Sequence, residues 1–205
     1  MEKIDIKKEL KSLFSPPKGK FTEVDVPPLR YLMIDGKGDP GKASEYMHAV
    51  ETLYPVAYTL KFASKKELGK DYTVPPLEGL WWAEDMNAFV AGDRDAWLWT
   101  SMIMVPEWVS GDMVSRAIEE VKAKKNPASI GKIRLETLEE GRSVQIMHIG
   151  PYSEEGPTLA RLHHEYMPEH GLTFNGKHHE IYLGDPRRTA PEKLKTALRQ
   201  PVRPI

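Results

Sequence analysis

The feature that most constrains the fold of this chain is a pattern of apolar spacing that occurs twice, in the same order. Arg30 to Asp35 reads as a compact apolar strand, followed by the turn-rich Gly36-Lys37-Gly38-Asp39-Pro40-Gly41. Tyr46, Met47, Val50, Leu53, Tyr54, Ala57, Tyr58, Leu60 and Phe62 then recur at three- and four-residue spacing. That periodicity predicts a long amphipathic helix over about 43–64. Pro55 falls inside it and predicts a kink or a break, because proline removes a backbone donor. Strands are expected at about 76–83 and 96–105, and a helix at about 113–124 bridges to the second half. The order then returns. Residues 133–138 and 143–149 read as a hairpin around Glu140-Gly141, residues 154–170 as a helix, and residues 178–183 and 195–202 as two further strands.

A strand–helix–strand–strand module of this size cannot bury both faces of its small sheet alone. The expected fold is therefore α+β, with the module duplicated: an antiparallel sheet, helices on its convex face and a ligand cleft on its concave face. The chain reads as a single domain, 1–205, with a first module at about 21–105, a bridging helix at about 110–125 and a second module at about 131–203. Ahead of these, residues 5–14 suggest a short amphipathic helix with Asp5 as N-cap, and Phe21 to Val26 a strand.

Composition excludes several function classes. The 205 residues include no cysteine, so disulfides, thiolate metal ligands and a cysteine nucleophile are out. With no secretory pattern near Met1 and no run near the ~20 apolar residues of a membrane span, the expected location is the cytoplasm, without membrane association. A net charge of −1, with both signs mixed along the chain, gives no basic surface for direct nucleic-acid binding. His163-His164 on a helix lie about 100° apart, and His178-His179 on a strand point to opposite faces. Neither pair forms a metal site, and neither metal nor cofactor is expected. A homodimer is compatible with the sequence.

Chemistry is sought where polar side chains meet aromatic ones. Along residues 178–183, Glu180 and Tyr182 share one face while Ile181 and Leu183 share the other. With the aliphatic pair against the helices, Glu180 and Tyr182 face a groove, and Leu80 and Trp82 take the matching first-half positions. A carboxylate among aromatic walls can hold a cation or deprotonate a water, and apolar surroundings raise its pKa. A glutamate on a strand is also commonly a solvated edge residue. Trp97 and Trp99 share one face of their strand and serve either core or groove. Tyr152, in a Gly-Pro-Tyr turn after a strand end, can overhang the groove.

The run Glu180-Ile-Tyr-Leu-Gly-Asp-Pro-Arg-Arg, with Pro191-Glu-Lys-Leu-Lys-Thr-Ala-Leu-Arg-Gln-Pro-Val, resembles the GyrI-like small-molecule-binding domain family. Leu53-Tyr-Pro-Val-Ala-Tyr-Thr-Leu-Lys-Phe and Leu77-Glu-Gly-Leu-Trp-Trp resemble its stand-alone branch, whose members are similar to cyclopropyl hydrolases. The resemblance implies a duplicated fold with a central cleft that takes a small aromatic or cationic ligand. It implies Glu180 as the cleft carboxylate, Tyr152 as a flanking catalytic hydroxyl, and Trp82 and Tyr182 as aromatic walls. The implied activity is detoxification, opening the cyclopropane of flat DNA-alkylating natural products. The alternative is a non-catalytic protein that sequesters drugs or modulates gyrase.

Overall fold

Alternating apolar residues and the turn residues between them place eleven strands in the computed structural model, which describes residues 3–84 and 93–205. In chain order these are β1 Lys3–Ile4, β2 Thr22–Val26, β3 Leu29–Lys37, β4 Asp71–Tyr72, β5 Leu77–Trp82 and β6 Leu98–Val105. They continue as β7 Arg134–Leu138, β8 Gly141–Ile149, β9 Leu172–Phe174, β10 His178–Tyr182 and β11 Lys195–Pro204. The chain divides into two compact units. One joins the residues up to Glu9 with Leu29–Leu138, and the other joins Leu10–Pro28 with Glu139–Ile205. No helix among the described residues is long and apolar enough to cross a membrane.

In the first unit β5, β6, β3 and β7 pair antiparallel in that order. The helices Ser44–Leu68 and Gly111–Lys124 share a core with them, formed by Leu53, Val56, Leu60, Val114 and Val121 against Leu32, Ile34, Trp99 and Ile103. Pro55 does not end the long helix, which runs unbroken to a left-handed Gly69. Leu53, Val56 and Leu60 flank the proline and are fully buried. Each such side chain stabilises by about 1.5–3 kcal/mol on burial, which together exceeds the ~3 kcal/mol cost of an internal proline.

In the second unit the sheet order is β2, β8, β11, β10, with β9 paired to the far end of β11. The helix Gly156–Arg161, a π-helical turn Leu162–Tyr166 and a last helical turn Met167–Glu169 cover one face. Leu162 and Met167 pack there on Ile146, Val144, Leu198 and Val202.

The hairpin expected between residues 133–138 and 143–149 does not form. Strand β7 pairs with β3 (Leu29↔Leu138 to Met33↔Arg134), and the outer edge of β8 is taken by β2 (Thr22↔Gln145 to Val26↔Gly141). Each unit thus draws its outer strand from the segment that precedes the other module. Local turn signals at Glu140-Gly141 are compatible with either partner, and a hairpin preference of this kind yields to tertiary pairing.

The two modules have one topology, β3–helix–β5–β6 and β8–helix–β10–β11, with the last strand between the other two. A shared hydrogen bond sets their correspondence. Gly38 N–H donates to the Trp97 carbonyl at 2.8 Å and Gly150 N–H donates to the Leu194 carbonyl at 2.9 Å, and both glycines have positive φ (100° and 140°). Counting along the registers, Gly36, Trp99 and Trp81 match His148, Thr196 and Tyr182, and Gly79 matches Glu180. The alignment of Leu80 with Glu180 expected from sequence is one residue out of step, which on a strand means the opposite face.

A buried polar network holds the segment Leu10–Pro28 to the second unit. Arg199 donates to Glu140 at 2.9 Å, to Gln145 at 2.8 Å and to the Leu13 carbonyl at 3.0 Å. Gln145 donates to the Ser12 carbonyl at 2.9 Å, and His179 Nδ1 lies 2.8 Å from Glu140. Burial alone would raise the Glu140 carboxyl, but His179 and Arg199 bring it down to about 2. This depressed pKa adds stability above the ordinary carboxylate range, and that stability is lost as pH falls from about 4.5 through about 2.

Glu140→Gln should therefore lower unfolding stability by about 3–5 kcal/mol, the cost of leaving a buried partner charge uncompensated. Urea denaturation at pH 7 measures this, and the difference from wild type should shrink toward pH 2–3. In the first unit, a methyl group on Gly36 would overlap the Trp99 indole. Gly36→Ala should cost about 1–3 kcal/mol through overpacking, read from the same denaturation curves.

Candidate active site

Strand β10 alternates its side chains, so His178, Glu180 and Tyr182 lie on one face and His179 and Ile181 on the other. The partner of Glu180 across the sheet is Leu198, whose own partner is Ile146. Both belong to the core beneath Leu162 and Met167. Glu180 and Tyr182 therefore share a face as expected, but it is the face covered by the helical segment. Ile181, expected against the helix, lies on the other side. The inversion comes from β11: its aliphatic Leu198 sits beside Glu180 and sends that face inward.

Glu180 is mostly enclosed, with a side-chain exposure of 13%. His178 Nε2 lies 3.0 Å from its Oε1, and Tyr182 donates its hydroxyl to Oε2 at 2.7 Å. A third partner is Glu155, which immediately precedes the helix Gly156–Arg161. Its carbonyl accepts from the Leu159 N–H at 3.0 Å, while its side chain turns to the sheet and hydrogen-bonds Glu180. Two buried carboxyls in contact cannot both ionise cheaply, so they divide one proton. Burial, the Glu180 charge and the shared hydrogen bond raise Glu155 to about 10. Burial acts on Glu180 as well, but the hydrogen bonds from His178, Tyr182 and Glu155 hold it below the ordinary carboxylate range. The upward shift expected for Glu180 thus belongs to its neighbour.

The Thr196 side chain also hydrogen-bonds Glu155 and favours its charge, but burial and the Glu180 contact outweigh it. Tyr152 stands at the rim, 39% exposed, with its ring edge-on to Tyr182 at 5.6 Å between centroids. Partial burial and the nearby Glu155, Glu180 and Asp185 raise its hydroxyl to about 12. The group can accept a proton from water at Glu180, donate one from Glu155, and offer tyrosine rings and hydroxyls at the edge.

The structure thus brings together Glu180, Tyr182 and Tyr152 of the residues expected from sequence. Trp82, Trp97 and Trp99 belong to the first unit. Trp99 is a core residue with no exposed surface, set on Gly36 and edge-on to Tyr46 at 5.1 Å, so in this conformation it presents nothing to a ligand. Trp97 is half-buried beneath Arg94, 5.5 Å from its ring, and Trp82 is half-buried at the end of β5. Glu155 was missed. An acidic residue at the start of a helix reads as an ordinary partner of the helix dipole, and nothing local marks it as turned inward.

The GyrI-like small molecule binding domain matches residues 20–203. The chain belongs to this family. An uncharacterized conserved protein from Listeria innocua is 45% identical, with a TM-score of 0.89 over 98% of this chain and 100% of that one. A hydrolase from Listeria innocua is 44% identical with a TM-score of 0.84 over the same shares. The C-terminal domain of EcmrR, at 10% identity and a TM-score of 0.57 over 91% of this chain and 98% of its own, shares the fold alone. No curated protein matches the chain significantly.

The proton on Glu155 has a thermodynamic signature. A carboxyl whose folded pKa is raised contributes stability that is complete below its unfolded value and is lost as pH rises toward about 10. Glu155→Gln imitates the protonated acid at every pH. It should raise Tm relative to wild type by an amount that grows between pH 5 and pH 9. A pH-independent difference would show that Glu155 is ionised in the folded protein.

Proposed function

We propose that this chain is a hydrolase that adds water across the cyclopropane of flat, conjugated, DNA-alkylating small molecules and so detoxifies them. The observation that carries the reading is the buried contact of Glu155 with Glu180, in which Glu180 takes hydrogen bonds from His178 and Tyr182 while burial and the Glu180 charge push the Glu155 carboxyl up. Two relatives at 44–45% identity bear the name hydrolase, which supports catalysis over binding alone.

The chemistry follows from the two protonation states. Both Glu180 oxygens already carry a donor, which dampens their nucleophilicity, but each retains lone-pair capacity to accept from a water. That water attacks the strained ring carbon as Glu180 takes its proton. The carbon–carbon bond breaks, and its electron pair moves through the conjugated system to the carbonyl oxygen. Glu155 protonates this oxygen to a phenol. Proton transfer from Glu180 to Glu155 along their hydrogen bond then restores the starting state. Tyr182 and Tyr152 provide aromatic edges for a flat substrate, each such contact contributing about 0.5–1.5 kcal/mol beyond burial.

Incubation with a cyclopropyl-indole dienone should yield a product heavier by one water. Glu180→Gln should cut kcat by roughly 10²–10⁴, the usual contribution of a positioned acid–base group, with little change in ligand affinity. The rate should fall as pH drops through the depressed Glu180 pKa and again toward about 10 as Glu155 loses its proton. Absence of turnover above buffer across several such compounds would defeat the reading. So would a Glu180→Gln variant of unchanged rate.

A further inference from the structure

We propose that this protein forms a homodimer through the outward face of the helix Ser44–Leu68, two copies packing antiparallel about a two-fold axis at Tyr58.

The helix is apolar on two faces, and the fold uses one of them. At about 100° per residue, Leu53, Val56 and Leu60 lie within about 60° of arc and are fully buried in the core of the first unit. Met47, Tyr58 and Phe62 occupy an arc of the same width on the opposite side of the helix. They are 60%, 47% and 60% exposed, and half-buried Pro55 borders them. A surface helix ordinarily carries polar and charged residues opposite its core face. An exposed apolar strip marks an interaction site instead, and Met, Tyr and Phe are side chains enriched at protein interfaces.

The charges on the same arc select the partner. Glu51 lies seven residues before Tyr58 and Lys65 seven residues after it, a spacing of about two helical turns that keeps all three on one side. Both charged residues are exposed. When a second copy is turned end for end about Tyr58, each Glu51 falls opposite the other copy's Lys65. Tyr58 meets its own copy, and Phe62 falls opposite the half-buried Tyr54. A two-fold interface requires this self-complementarity, residue i meeting j and j meeting i. Lys65 remains available for the pair, because Lys61 also binds Asp71, the carboxylate that Lys65 reaches at 3.3 Å. Glu51, set within the strip, disfavours an anionic membrane surface as the occupant.

From Met47 to Phe62 the strip is about 22 Å long and about 10 Å wide. That is small against the ~800 Å² per partner of a standard interface. The dimer is therefore weak and reversible, with a Kd on the order of 10–100 μM. The Glu51–Lys65 pairs at its ends set orientation more than affinity.

The full-length chain has no cysteine, so introduced thiols report register without interference. Sedimentation velocity from about 1 to about 300 μM, bracketing that Kd, should show a concentration-dependent dimer. Tyr58→Glu sets two carboxylates against each other at the axis and should raise Kd at least tenfold, with an unchanged thermal transition. Helices packed with axes about 8–10 Å apart bring facing Cα atoms within the ~4.4–6.8 Å reach of a disulfide. Under mild oxidation Tyr58→Cys should link to itself. Glu51→Cys and Lys65→Cys should link to each other when mixed, and far less when alone. A monomer at every concentration would overturn the proposal, as would a monomer that sediments with anionic phospholipid vesicles. A dimer that Tyr58→Glu leaves intact would overturn the assignment of this helix face. Absence of the Glu51→Cys to Lys65→Cys link would overturn the antiparallel register.

Discussion

The reaction proposed for this protein depends on one electrostatic constraint: two carboxyl groups in contact inside a folded unit hold a single proton between them. Which one holds it is set by their surroundings. Glu180 receives His178 Nε2 and the Tyr182 hydroxyl, two donors that favour its charge, while burial and the Glu180 charge outweigh the one hydrogen bond, from Thr196, that favours charge on Glu155. The asymmetry turns two chemically identical side chains into a base and an acid at neutral pH, as in other sites where environment separates a pair of carboxyls.

The cost of such a pair is met by the fold around it. A buried ionised carboxylate is tolerable only with its hydrogen bonds made, and the second unit contains two of them on opposite faces of one sheet. Glu180 takes its donors from β10 and the helical segment. Glu140 takes its own from His179 and Arg199, and Arg199 also reaches the Leu13 carbonyl. The same network that satisfies Glu140 fastens residues far away in sequence, which places β2 along β8. Rigid backing of this kind keeps β10 in register, and register decides which face Glu180 occupies.

Duplication shows how one scaffold yields a reactive site in one unit and a closed core in the other. Where the second unit has His148, Thr196, Tyr182 and Glu180, the first has Gly36, Trp99, Trp81 and Gly79. The two indoles and Tyr46 fill the space between helix and sheet, and Gly36 leaves room for the Trp99 ring. Thr196 and Tyr182, smaller and polar where the first unit has its two indoles, leave room for carboxyl groups instead.

The modular order of strands and helices was legible in sequence because apolar periodicity records which side of each element is buried. Family membership was legible too, in the Glu180-to-Arg188 run and its first-half companions. Glu180, Tyr182 and Tyr152 could be singled out as candidates, and the shared face of Glu180 and Tyr182 follows from strand geometry alone. Which face that was depended on Leu198, a neighbour across the sheet and eighteen positions along the chain. The partner of β7, the burial of Trp99 and the inward turn of Glu155 likewise depend on contacts between distant segments. Periodicity fixes alternation along one strand. Only tertiary packing decides what lies opposite, and therefore which of two glutamates keeps the proton.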